Sequence, residues 1–148
     1  MSSSTGELTV QTPGVAGTVL MSNGVALAPT WQTPSLGVTA WTREAATPVA
    51  TVINHGYIPT GGALTTFLLP ATAALGDTIE IAGESAFNWV ITQNANQQIQ
   101  FGILATTIGV GGSLASTNAY DTVRIVCRVA GASTRWSVTS VVGLLNVT

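Results

Sequence analysis

"DTVRIVCRV", residues 121–129, decides the fold class. Successive side chains of an extended chain point to opposite faces, so Val123, Ile125, Cys127 and Val129 share one side and Thr122, Arg124, Val126 and Arg128 the other. The β-branched residues that dominate the stretch are stiff at χ1 and suit a pleated, half-buried surface better than a helix. The second face mixes a valine with two arginines, as expected where a strand meets a neighbouring subunit or a crowded polar surface. Upstream, "DTIEIAG" (77–83) echoes the pattern: Asp-Thr again leads directly into alternation, with Ile79 and Ile81 opposite Thr78, Glu80 and Ala82. Asp77 and Asp121 read as turn caps, their carboxylates accepting from backbone N–H groups. A calcium site needs several convergent oxygen ligands, and no D-x-D-x-D run supplies them; no metal or other cofactor is expected.

The same texture extends outward. "PVATVIN", "TTFLLP", "NWVITQN", "QQIQFG" and "TRWSVTSVVG" are short, rich in Val, Ile, Thr and aromatics, and bounded by Gly, Asn or Pro. With the two runs above they make an all-β domain over residues 49–148, in which only "ATAALGD" (71–77) has room for one helical turn. Trp89 alternates in phase with Ile91 and is expected in the core or at a subunit interface. Cys127, the single cysteine, has no internal disulfide partner and reads as a small buried hydrophobe. Residues 1–48 differ: they hold four of the 6 prolines and two of the 4 tryptophans, with short apolar runs between turn residues. They read as an extended, irregular N-terminal arm.

Composition removes whole classes of function. Only 7% of residues are charged, against about 25% in an ordinary soluble domain, and there is no lysine. Four arginines and a net charge of −2 provide no positive track for a phosphate backbone, so nucleic acid is not an expected partner. Apolar runs such as "VVGLL" (141–145) fall far short of the roughly 20 residues of a membrane helix, and no basic residue precedes a hydrophobic stretch near Met1. Neither membrane insertion nor a signal peptide is expected. The polar surface must be made of hydroxyls and amides. So little charge also fits a chain whose outer face is covered by copies of itself, since interface cores are depleted in charge.

Catalytic patterns are sparse. His55 in "INHGY" is the one histidine and reads as a loop residue bonded to its surroundings; a nucleophilic serine or cysteine would need it as base, with a third group to orient it. "GVGGS" (109–113) follows no strand-to-helix pattern that would cradle a phosphate and reads as a hairpin connection. Glu80 and Glu84 are the candidates for the carboxylate pair of a glycosidase. Sugar binding is served better: aromatic faces match pyranose C–H faces, and amides match hydroxyl rims. Tyr57, Tyr120, Asn118 and the amides of "QNANQQ" (93–98), among them Asn94, Asn96 and Gln97, are the candidate ligand-binding residues.

"TPGVAGTVLMSNGVALAPTWQ" (12–32) resembles the G-x-x-G-x-V-L-x-S-N-G-x-x-x-x-P-x-W segment that precedes the head domains of many phage tail-fibre and bacterial surface-fibre proteins, matched at Gly14, Gly17, Val19, Leu20, Ser22, Asn23, Gly24, Pro29 and Trp31. "LPATAALGDTIEIAGESAFNWVITQNANQQIQFG" and "GVGGSLASTNAYDTVRIVCRV" resemble a C-terminal module of such fibres. The resemblance implies a homotrimeric β-structured tip, on a virion or an extracellular surface, that attaches to a host cell-surface receptor; a glycan is the expected ligand. It brings no catalytic residues. The expected head is an antiparallel β-sandwich of jelly-roll type, although a β-prism of strands shared among chains reads the same way. Val19, Leu20, Trp31, Trp89, Arg124 and Arg128 are the candidate trimer contacts, with Trp31 clamping chain to chain. A purely structural trimeric module and a polysaccharide depolymerase are the alternatives.

Overall fold

The computed structural model describes residues 12–23, 27–32, 40–84 and 86–148, and among these the protein consists of strands and turns without helix. Backbone contacts divide it into two units, Met1–Ser35 and Leu36–Thr148.

In the first unit β1 (Val19–Met21) pairs antiparallel with β2 (Thr30–Gln32), placing Leu20 opposite Trp31. The stretch read as irregular thus contains a hairpin. The Trp31 indole donates through Nε1 to the Thr12 carbonyl at 2.8 Å, and a Cβ on Gly14 would overlap the ring. Asn23 donates through Nδ2 to the Ala28 carbonyl at 2.7 Å and so holds the connection. Gly24 lies outside the described residues.

In the second unit a seven-stranded sheet runs β10 (Leu104–Ala105), β9 (Gln98–Phe101), β13 (Arg135–Val142), β12 (Thr122–Val129), β7 (Thr78–Ala82), β5 (His55–Pro59), β3 (Ala40–Glu44). A five-stranded sheet runs β14 (Leu145–Val147), β11 (Ser113–Ser116), β8 (Trp89–Thr92), β6 (Thr65–Leu68), β4 (Val49–Ala50). The sheets are mixed rather than antiparallel. From β3 to β8 the chain alternates between the two sheets while reversing direction at each turn, so neighbours within one sheet run the same way: β3–β5, β5–β7, β4–β6 and β6–β8 are all parallel. In sequence, short strands joined by short turns look like hairpins. Here the partner of each strand is the next but one.

The arm expected over residues 1–48 takes in β3, which is an edge strand of the larger sheet. "AWTRE" lacks apolar alternation, and its side chains are mostly exposed, so it carried no strand signal. Strand β12 behaves as its alternation requires: Val123, Ile125 and Cys127 are buried. Val129 departs because a register shift between Cys127 and Val129 turns it outward. These residues, with Ile79, Ile81 and Trp136 of the larger sheet, share one core with Phe67, Trp89, Ile91 and Leu114 of the smaller. "ATAALGD" forms no helix; it is a turn in which Asp77 N donates to the Ala74 carbonyl at 3.2 Å.

Candidate functional site

Up-and-down strands gather the connections at two ends. After β7, β11 and β13 the chain turns at one end, the described residues of these turns being 83–84 with 86–88, 117–121 and 143–144, and Asp121 ties the three together. Its carboxylate Oδ2 accepts from the backbone N–H groups of Thr117 at 2.8 Å and Asn118 at 2.9 Å. Its backbone carbonyl accepts from Gly83 N at 3.1 Å and from the Trp89 indole at 2.8 Å. Thr117 Oγ1 donates to the Leu144 carbonyl at 2.9 Å, and Asn88 Nδ2 donates to the Thr117 carbonyl. Gly143 packs so tightly on the Asp121 carboxylate that any Cβ would overlap it. The carboxylate, 4% exposed, therefore fixes a turn whose neighbours face solvent: Tyr120 is 71% exposed, and Phe87, Val142 and Leu144 are exposed beside Asn118.

The second predicted loop lies elsewhere. Residues 94–97 follow β8 at the opposite end, the end at which β3 begins with Ala40. Its amides are largely spent inside the protein. Gln93 Nε2 donates to the carbonyls of Gln97, Thr107 and Gly109 at 2.6–2.8 Å, and Thr106 Oγ1 donates to Gln93 Oε1. Gln97 is fully buried, donating to the Pro70 carbonyl and accepting from Asn94 N. Asn94 Nδ2 donates to the Leu69 carbonyl at 2.7 Å. Of the amide side chains only that of Asn96 is exposed, at φ 64°, a left-handed position that asparagine tolerates. An amide-rich segment reads as polar surface, but a buried turn consumes amides equally well, because every buried carbonyl demands a donor. Gln97, expected as a ligand contact, thus has no surface to offer a ligand.

Other predicted residues separate similarly. Trp89 is fully buried in its own chain's core, so it has no surface to offer a neighbouring subunit. Tyr57 is also core, its hydroxyl accepting from Val52 N at 2.6 Å; desolvation pushes its pKa above the ordinary tyrosine value. Arg124 and Arg128 are exposed on the outer face of β12, and Val19, Leu20 and Trp31 are exposed within the first unit. His55 is on a strand, hydrogen-bonded to Thr42 Oγ1 and with its ring centroid 4.8 Å from that of Tyr57. Glu84 forms a 2.6 Å ion pair with Arg43. Glu80 of β7 is in register with Arg124 of β12. Among the described residues no three metal-ligating side chains come together.

Phe87 and Leu144 at the Asp121 end went unnoticed in sequence. Phe87 continues the phase of Trp89 and Ile91, which reads as burial, but β8 begins only at Trp89. The pair of exposed turns could be found only from strand order. No family model matches the chain, and no curated protein matches it.

Proposed function

We propose that the protein is a non-enzymatic adhesin: a homotrimeric fibre-tip module with a β-sandwich head, which attaches to a host cell-surface receptor, a glycan, at the virion tip or another extracellular surface. The observation that carries this reading is the Asp121 end of the second unit. It is a rigidly anchored set of turns, remote from Ala40, that presents Tyr120 and Asn118 to solvent. Loops on a rigid scaffold are where binding residues concentrate. The ring of Tyr120 suits a sugar's C–H face and the Asn118 amide its hydroxyl rim.

The trimer is supported by the 7% charge content and by the exposed apolar row Val19, Leu20, Met21 and Trp31 in the first unit, which copies of the chain would cover. A single ring and amide bind a sugar weakly. Three linked sites raise apparent affinity by about 10²- to 10⁴-fold where geometry permits. The test combines light scattering with binding of the labelled chain to host cells. A mass three times the 15.1 kDa of one chain, with adhesion lost in Tyr120→Ala while that mass is kept, is the expected result. A monomeric mass removes the trimer, and undiminished adhesion of Tyr120→Ala removes the loop site. A trimer that adheres to no host cell and binds no glycan on an array would instead be a purely structural module.

A further inference from the structure

Trp41 is 47% exposed, an unusual position for so large a ring. It stands on the outer face of the seven-stranded sheet in register with Gly56 of β5. A Cβ at residue 56 would overlap the indole's Cδ2, Cε2 and Cε3 atoms. The fused ring therefore lies flat on the glycine backbone, with one face against the sheet and the other turned to solvent. Only glycine permits this approach.

The row continues across the sheet. Gly56 is in register with Glu80, Glu80 with Arg124, and Arg124 with Ser140. Registered side chains share a face, and adjacent strands lie about 4.8 Å apart, so Glu80 and Arg124 share that face with Gly56 and Trp41, their backbones one and two strand spacings from the glycine under the ring. Arg43, on the same face of β3, is held by Glu84 at 2.6 Å.

We propose that Trp41, Glu80 and Arg124 form a pyranose-binding platform, separate from the turns at the Asp121 end. The solvent-facing side of the indole takes the apolar C–H face of a sugar ring. The carboxylate accepts from one pair of hydroxyls and the planar guanidinium donates to another. The two charges oppose each other on neighbouring strands, so the site favours a neutral hexopyranose over an acidic sugar. A second copy of the chain seated on the ring is the competing occupant.

Labelling with 5-fluorotryptophan gives one ¹⁹F resonance for each of the 4 tryptophans, and Trp41→Phe assigns that of Trp41. The full chain is titrated with the methyl glycosides of glucose, galactose, mannose and N-acetylglucosamine, and with N-acetylneuraminic acid. At least one neutral glycoside is expected to shift the Trp41 signal saturably at millimolar concentration, with Glu80→Gln and Arg124→Ala each weakening the response about fivefold or more. Tyr120→Ala should leave the titration unchanged, which separates this site from the loop reading. The proposal is overturned if no neutral glycoside moves the signal, if only N-acetylneuraminic acid does, or if both variants titrate like the parent. A Trp41 signal already shielded from a soluble paramagnetic quencher in the free protein overturns it in favour of a covering copy.

Discussion

Asp77 and Asp121 close the two ends of the β7–β12 ladder with the same pair of contacts. The Asp121 carbonyl accepts from Gly83 N at 3.1 Å, and the Asp77 carbonyl accepts from Cys127 N at 2.8 Å. Each aspartate thus sits opposite the residue six positions beyond the other. Both carboxylates also cap turns, Asp121 at Thr117 and Asn118 and Asp77 at Ala74 N, 2.7 Å away. The Asp-Thr echo in the sequence is this local two-fold relation.

The relation makes the two aspartates controls for each other. Asp121→Asn and Asp77→Asn should each lower stability by about 1–3 kcal/mol, since each weakens hydrogen bonds to a buried charged acceptor. Only Asp121→Asn should also reduce host-cell adhesion, because only Asp121 holds the Tyr120 turn. Denaturant melts and a cell-binding assay on both variants check this; equal adhesion by the two would detach function from that end.

Trp89→Ala should cost about 3–5 kcal/mol, the usual range for truncating a buried aromatic. The loss includes the indole bond to the Asp121 carbonyl at 2.8 Å, so adhesion should fall along with melting temperature. A soluble variant with an unchanged melt would contradict the burial of this ring.

At the opposite end, Gln93→Leu removes the donor shared by three carbonyls. The Gln97 and Gly109 carbonyls keep backbone donors in Gly109 N and Gly112 N, so the loss expected in chemical denaturation is that of the bonds to Thr107 and the buried Thr106 hydroxyl, about 1–3 kcal/mol. Asn96→Gly should be close to neutral, and Asn96→Ala should cost about 1–2 kcal/mol for its left-handed backbone. Neither Asn96 variant should change adhesion; a loss there would return the 94–97 turn to the binding surface.

Burial raises the pKa of the Cys127 thiol, so the thiolate is disfavoured in the folded protein. A group whose folded pKa lies above its unfolded value contributes stability that is complete below the unfolded value and is lost as pH rises through the folded one. Stability should therefore decline on the alkaline side of the ordinary thiol range, and Cys127→Ser should flatten that decline. The native thiol should resist Ellman's reagent until denaturant is added.

Period-two alternation was enough to establish an all-β protein and to identify the inward residues of β7, β8 and β12, because a strand half-buried on one face must place its apolar residues at every second position. The capping role of both aspartates was equally legible, since it depends only on neighbours in the chain. Sheet pairing was not. Whether β5 joins β7 or β6 depends on which face each turn delivers the chain to, and short turns of similar composition serve both outcomes. The same non-local choice put Asn94 and Tyr120 at opposite ends, buried Gln97 with its amide spent on carbonyls far along the chain, and laid Trp41 over Gly56. Local chemistry is written residue by residue, whereas which residues become neighbours across a sheet is decided only when the two sheets close on a common core.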